Sequence, residues 1–362
     1  MCSNKWVHLS CLALVMLLVL PGSSLSKEVI INTMIDFGSP ASPTPDQVTQ
    51  AFNSMVNLTN EIDSRKLNAT ILASGDVAAS QRLFVTNFGQ KTNHEMALNG
   101  NMKDENLSSM PYSKQLELLT TSQKNINSAH ICGGKVVSIQ GFMSQSFDQN
   151  NDTLKVLDSL GFLYDAGFKV GILYMPGHKN DTWPYPITGY NLYAVPVSSY
   201  NSSGVRVYLS DRYAKEELGI SGSKWYDILA GKFDEAAING DPVVAIFSNQ
   251  VSGSGDYLDA YKNFVNYATT KNAKFVTTIE LINMTEVKSA TGKLPALSDS
   301  GVKPPVCPTC GQKNESKGSL SIGVTQTHQG NCTNCNESSA NVTKLVRLPP
   351  GSLLIYISWG EI

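Results

Sequence analysis

Charge is scarce in this chain. Charged residues make up 16% of the sequence, against about a quarter in an ordinary soluble protein, and the net charge is −2. That balance excludes a general electrostatic attraction to nucleic acid and leaves little repulsion between copies. Histidine is scarce too, with five in the chain. Those beyond the amino terminus, His94, His130, His178 and His328, are scattered without metal-ligand spacing. No Gly-x-Ser-x-Gly elbow marks an esterase nucleophile, and no glycine-rich loop follows an expected strand, which argues against nucleotide chemistry. Long apolar runs are also missing. The one near the amino terminus, Leu9 to Leu20, is too short to span a bilayer, which takes about 20 residues.

That run follows Lys5 and His8 and precedes Pro21-Gly22-Ser23-Ser24-Leu25-Ser26, small residues suited to cleavage before Lys27. Residues 1–26 read as a secretory signal peptide, so the chain is expected to be secreted or at the cell surface. Asn57, Asn68, Asn106, Asn151, Asn180, Asn201, Asn283, Asn314, Asn331, Asn336 and Asn341 all stand in Asn-x-Ser/Thr with no Pro between. Three of them fall within 331–341. Such density suggests a glycosylated surface protein.

Between 29 and about 281, short apolar runs alternate with helical patterns. The β-branched run Val29 to Ile35 ends in Asp36-Phe37-Gly38. Further strands are expected at 69–73, 95–98, 136–140, 162–167, 242–248 and 274–281, with helices between them. Residues 168–220 are irregular, with strand-like runs at 191–197 and 205–209. Alternation of this kind implies a parallel sheet built from right-handed crossovers. About seven units fit a closed or nearly closed α/β barrel better than an open sheet. Chemistry in such folds sits on loops at the carboxyl ends of strands, which draws attention to His94-Glu95-Met96-Ala97-Leu98-Asn99-Gly100-Asn101-Met102-Lys103.

Several segments share one likeness: the strand ending in Asp36; His94 to Gly100; Leu107 to Leu116; Asn151 to Leu157, before Gly161-Phe162 and Tyr164-Asp165; and Lys274 to Thr278. In this order residues 29–285 resemble the polysaccharide deacetylase (NodB-type) domain. The resemblance implies a distorted (β/α)7 barrel and an ancestry in metal-dependent polysaccharide deacetylation. It also implies what is gone. The family opens with Thr-Phe-Asp-Asp, a general base followed by a metal ligand. Here Thr33-Met34-Ile35-Asp36 leaves Ile35 at the base position and Asp36 as the remaining ligand.

The family's two metal histidines, four residues apart, fall on Asn99 and Lys103. Its Arg-rich third motif falls near 138–142, where there is no Arg. Its late catalytic His is absent from Phe247-Ser248-Asn249. Catalytic zinc takes three neutral or anionic protein ligands and an open position. One carboxylate, an amide and an ammonium do not supply them, and without a metal the attacking water keeps a pKa near that of bulk water. The barrel is therefore expected to hold no cofactor and to have no catalytic residues, with Asp36 paired to Lys103. Trp183, Tyr185 and Tyr190 either stack on sugar rings or pack an irregular insertion.

After about residue 289 the composition shifts to Gly, Ser, Pro, Lys and Asn. The expected division is signal peptide 1–26, deacetylase-like barrel 27–288, and a loop- and strand-rich extension 289–362. Cys307, Cys310, Cys332 and Cys335 form two C-x-x-C pairs, either a structural zinc site or two disulfides. Cys132 is left over. The uncharged run Leu353 to Trp359 pairs within the extension or, as an edge, with a neighbouring copy. Two expectations result. One is a non-catalytic, self-associating structural glycoprotein of an archaeal type, in a surface layer or sheath. The other is a carbohydrate-active or carbohydrate-binding relative that keeps a groove for cell-wall polysaccharide.

Overall fold

The computed structural model describes residues 27–38, 43–89, 91, 93–103, 105–130, 139–291, 344–347 and 353–356. The chain divides into two units, Met1–Lys303 and Pro304–Ile362. In the first, the strands are β1 Ile30–Phe37, β2 Ala69–Ala73, β3 His94–Leu98, β4 Gly141–Phe142, β5 Tyr164–Lys169, β6 Tyr185–Pro186, β7 Tyr193–Val197, β8 Ser199–Ser202, β9 Val205–Tyr208, β10 Val243–Ser248 and β11 Lys274–Val276. The helices are α1 Pro45–Asp63, α2 Gly75–Ser80, α3 Arg82–Gly89, α4 Tyr112–His130, α5 Asn151–Ser159, α6 Gly222–Asn239, α7 Asn249–Ser252, α8 Gly255–Thr270 and α9 Thr278–Thr291.

The sheet runs β10-β1-β2-β3-β4-β5-β7-β6, with β11 also on β1. Its neighbours are parallel except β6 on β7. The sheet curls, and its far side meets β10 through isolated bonds. The Ser198 N–H donates to the Val244 carbonyl at 3.0 Å, and the Ile246 N–H to the Leu209 carbonyl at 2.8 Å. β1 is buried along its whole length, as a strand covered on both faces must be, which is why it reads as a nearly continuous apolar run. α1 starts at a Thr44–Gln47 capping box with Pro45 in its first turn, and buries Met55, Leu58 and Ile62.

Two expected elements change. The run 274–281 is a strand only to Val276. Thr277 and Glu280 then exchange bonds, Thr277 N–H to Glu280 Oε2 at 2.7 Å and Glu280 N–H to Thr277 Oγ1 at 3.2 Å. That reciprocal cap starts a helix in the middle of a β-forming sequence. Of the strand expected at 136–140, residues 136–138 lie outside the described residues, and β4 is found at Gly141–Phe142.

The first turn of α9 closes the amino end of the sheet over a buried polar network. Glu95 accepts from Tyr164 Oη at 2.6 Å, from Ile279 N–H at 3.0 Å and from Thr70 Oγ1 at 3.3 Å. Thr278 N–H donates to Thr70 Oγ1 at 2.9 Å, Thr278 Oγ1 to Asn32 Oδ1 at 3.2 Å, and Asn32 Nδ2 to the Val276 carbonyl at 3.0 Å. A carboxylate at a helix amino terminus also meets the positive end of the helix dipole.

In the second unit, Lys344–Arg347 (β12) and Leu353–Tyr356 (β13) form an antiparallel pair. Of the expected run Leu353 to Trp359, residues 353–356 form that strand and 357–359 lie outside the described residues. The signal peptide 1–26, Cys132, Cys307, Cys310, Cys332, Cys335, His328 and the sequons Asn314, Asn331, Asn336 and Asn341 lie outside the described residues. Among the described residues, no helix is long and apolar enough to cross a membrane.

Candidate functional site

The carboxyl ends of β1, β3 and β10 bring Asp36, Asn99 and Ser248 together from far apart in the sequence. Asn99 Nδ2 donates to Asp36 Oδ1 at 2.5 Å. Arg212, four residues past the end of β9, reaches Asp36 Oδ2 with Nη2 at 3.4 Å. The same Nη2 donates to Ser248 Oγ at 3.2 Å and Gln250 Oε1 at 3.4 Å. Asp36 is 4% exposed. Burial pushes its carboxyl above the usual range, opposed in turn by the Arg212 guanidinium, the Asn99 amide and the Lys103 ammonium.

The cation against Asp36 is therefore not the expected Lys103. Asp36 pairs with Arg212, and Lys103 acts on it only through space. Asn99 and Lys103 lie in a turn, where a four-residue spacing does not place two side chains on one helical face. Gly100 takes a left-handed conformation (φ 62°). The turn then closes on Glu105, whose Oε2 accepts the N–H groups of Asn101 and Met102 at 2.9 and 3.2 Å.

Asp211 supports the centre from beneath. It is fully buried and accepts from the N–H groups of Arg212 at 2.6 Å and Ser248 at 2.8 Å. Burial raises its pKa to about 7, in spite of those bonds and the adjacent guanidinium. Both oxygens are engaged by backbone, so Asp211 anchors β10 against the Arg212 turn.

The residues present do not fit a divalent ion. A guanidinium already lies against the one carboxylate, the neighbouring amide presents its N–H to that carboxylate, and the residue before it is the buried, apolar Ile35. Among the described residues, no three His, Cys, Asp or Glu side chains are grouped to hold a metal.

Beside the ion pair opens a pocket of about 280 Å³, lined by Asp36, Arg212, Ser248, Phe147, Tyr208 and Tyr213 among others. Ser146 (φ 52°) and Phe147 (φ 61°) are consecutive non-glycine residues in the left-handed region, which costs on the order of 1–3 kcal/mol each. Packing holds them there. The Phe147 ring meets Tyr208 edge-on at 5.3 Å, Tyr208 stacks on Tyr213 at 3.9 Å, and Lys169 Nζ lies 4.3 and 4.5 Å from the Phe147 and Tyr208 centroids. This wall went unnoticed in the sequence. Its available signal was the polar pair Asp211-Arg212 just after the strand-like run 205–209.

The aromatics singled out beforehand lie elsewhere. Tyr185 is buried with His178 stacked on it at 4.0 Å. Trp183 is partly buried and has Lys288 Nζ 4.1 Å from its ring. Tyr190 is partly buried against the core. None of the three lines the pocket beside Asp36.

No protein-family profile matches the sequence, and no curated protein matches it. Solved structures do. A Mycobacterium smegmatis protein described as a polysaccharide deacetylase superposes with TM-score 0.57 at 16% identity, covering 75% of this chain and 94% of its own. A Pseudomonas aeruginosa PAO1 protein described likewise gives TM-score 0.56 at 12% identity, over 70% of this chain and 90% of its own. The Puue allantoinase gives TM-score 0.57 at 13% identity, over 73% and 91%. At such identities the likeness is one of fold: an α/β unit with a curled sheet, of the polysaccharide deacetylase type.

Proposed function

We propose that this chain is a non-catalytic deacetylase-fold glycoprotein, exported and self-associating as a structural component of a cell surface, in a layer or sheath. The observation that carries its non-catalytic part is the Asp36–Arg212 pair with Asn99 on the second oxygen. A side-chain cation stands against the carboxylate that would otherwise hold the metal. No base is available at Ile35, and Ser248 is a poor general acid. Export, glycosylation and assembly rest on the leader-like residues 1–26, the eleven sequons and the low charge. Acetate release from chitooligosaccharides and peptidoglycan fragments, with zinc, cobalt or manganese supplied, should stay at the no-protein level. Release that disappears in Asp36→Ala would overturn the reading. Electron microscopy of the purified protein should show ordered assemblies, and a plain monomer at high concentration would remove the structural half.

A second reading, a carbohydrate-binding groove for cell-wall polysaccharide, is favoured by one observation. The pocket beside Asp36 has an aromatic wall of Phe147, Tyr208 and Tyr213, the kind of surface on which sugar rings lie. Saturable binding of oligosaccharide, lost in Tyr213→Ala, would support it. Absence of binding leaves the structural reading alone.

A further inference from the structure

Seven Asn-x-Ser/Thr sites lie among the described residues, and the fold separates them. N-glycosylation joins the amide nitrogen to the anomeric carbon of a lipid-pyrophosphate-linked sugar. The bond from that carbon to phosphate oxygen breaks, the lipid pyrophosphate leaves, and the amide gives up one proton. The folded product needs an amide N–H not already committed, and open space for a bulky chain.

Asn68 offers neither. It is half-buried, and its Nδ2 lies 2.9 and 3.0 Å from the two oxygens of Glu280. Glu280 is also the carboxylate that caps Thr277 N–H at the start of α9. A sugar on Asn68 would displace that carboxylate and uncap the helix that closes the sheet. Asn57 is exposed, but its Nδ2 donates to the Gly253 carbonyl at 3.0 Å.

Five other sites are exposed, and their Nδ2 atoms bond to no described residue. Asn106 lies on the loop leaving β3, where its Oδ1 accepts from Ser108 Oγ at 3.1 Å. Asn151 opens α5 just after β4, and the neighbouring Asn150 performs the capping. Asn180 follows β5, with the preceding Lys179 carbonyl bonded to Gly171 N–H at 2.8 Å beside that strand's end. Asn201 lies in the β8–β9 hairpin beyond β7, its Oδ1 held by Gly204 N–H at 3.0 Å. Asn106, Asn151 and Asn201 are on segments leaving the carboxyl ends of parallel strands, the end where the pocket opens, whereas Asn180 comes two residues before Thr182, whose Oγ1 donates to Asp241 ahead of β10 at 2.8 Å. Asn283 is exposed too, but on α9 at the opposite end.

We infer that Asn106, Asn151, Asn180 and Asn201 carry N-glycans, with those on Asn106, Asn151 and Asn201 at the pocket end of the sheet, and that Asn68 is refused. The inference rests on the export reading. It places sugar around the pocket and directs contact between copies to other faces.

The full chain, secreted behind an added leader from an N-glycosylating host and carrying a verified acceptor peptide, tests this by glycopeptide mass spectrometry. The four sites should be occupied and Asn68 bare in the secreted pool. In Glu280→Ala, secreted molecules should gain glycan at Asn68. An occupied Asn68 in the parent, or a majority of the four bare while the acceptor peptide is modified, overturns the inference. The added leader keeps the export reading separate. That reading fails if residues 1–26 do not secrete a reporter, whatever the site map shows.

Discussion

Glu95 and Asp36 are both carboxylates carried into the interior by parallel strands of one sheet, yet they are held in different ways. Glu95, on β3, is surrounded by neutral donors: a tyrosine hydroxyl, a threonine hydroxyl and the first N–H groups of a helix. Burial raises its pKa to about 7. Asp36, on β1, has one amide and a guanidinium that arrives from a distant turn. The amino-end network satisfies a buried acid with groups that belong to the core. At the carboxyl end a cation is used instead, on the side where strand–helix folds usually carry their chemistry. A buried charge is costly unless paired, so an isolated acid at that position calls for a cation. Here the chain supplies its own.

The sharpest way to break the comparison is to remove the cation. Arg212→Met should cost about 3 kcal/mol at pH 8, the low end for breaking a buried pair, because the guanidinium is partly exposed and its contact long. The loss should shrink as pH falls, because burial raises the Asp36 carboxyl and eases its protonation, and Asp36→Asn in the same chain should recover much of it. Urea denaturation reads all three. An Arg212→Met protein as stable as the parent at pH 8 would make the pair incidental.

Next in size is the neutral network. Tyr164→Phe leaves a Glu95 oxygen short of a donor and should cost about 2 kcal/mol. Unlike the arginine variant, it removes a neutral donor and strips no cation from a buried carboxylate. Calorimetry at matched pH would show it, and a change below about 0.5 kcal/mol would mean the hydroxyl bond contributes little beyond exchange with water.

A further effect concerns pH. Glu95, Asp165 and Asp211 are each pushed up to about 7 by burial, while their unfolded values lie near 4. The folded state therefore binds protons between those values. Their contribution to stability is full below about pH 4 and is lost as pH rises through about 7. Asp63, lowered by the His94 and Lys91 bonds despite its own partial burial, has the opposite sign, and its loss is confined to more acid pH. The melting temperature should therefore fall between pH 5 and pH 8, and Glu95→Gln should flatten that slope. A melting temperature that rises over this range would contradict the assignment.

How much of this was legible in the sequence differs between the two ends. The alternation of apolar strands and helices was readable because strands covered on both faces must be apolar and helices covered on one face must be periodic. That positions 99 and 103 carry an amide and an ammonium and no imidazole was readable as well. Arg212 was not, because it is 176 positions from Asp36 and only the curl of the sheet brings the two together. The α9 cap was missed for a local reason. Thr277-Thr278-Ile279 has β-forming residues, and the Thr277–Glu280 exchange overrides their preference. Nor did periodicity show that α4 buries polar Gln115 and Ser122. Gln115 is used instead to tie the helix to Thr153, whose hydroxyl donates to it at 2.7 Å.

The central claim is that the Asp36 centre is filled by Arg212 and Asn99 and takes no metal. The most direct measurement is cobalt titration of the full chain with Cys307, Cys310, Cys332 and Cys335 changed to Ser, followed by optical absorption and metal analysis. The account predicts no retained cobalt after desalting and no change on adding Asp36→Ala. Retained cobalt in a fixed ratio to protein, lost in Asp36→Ala, would contradict it.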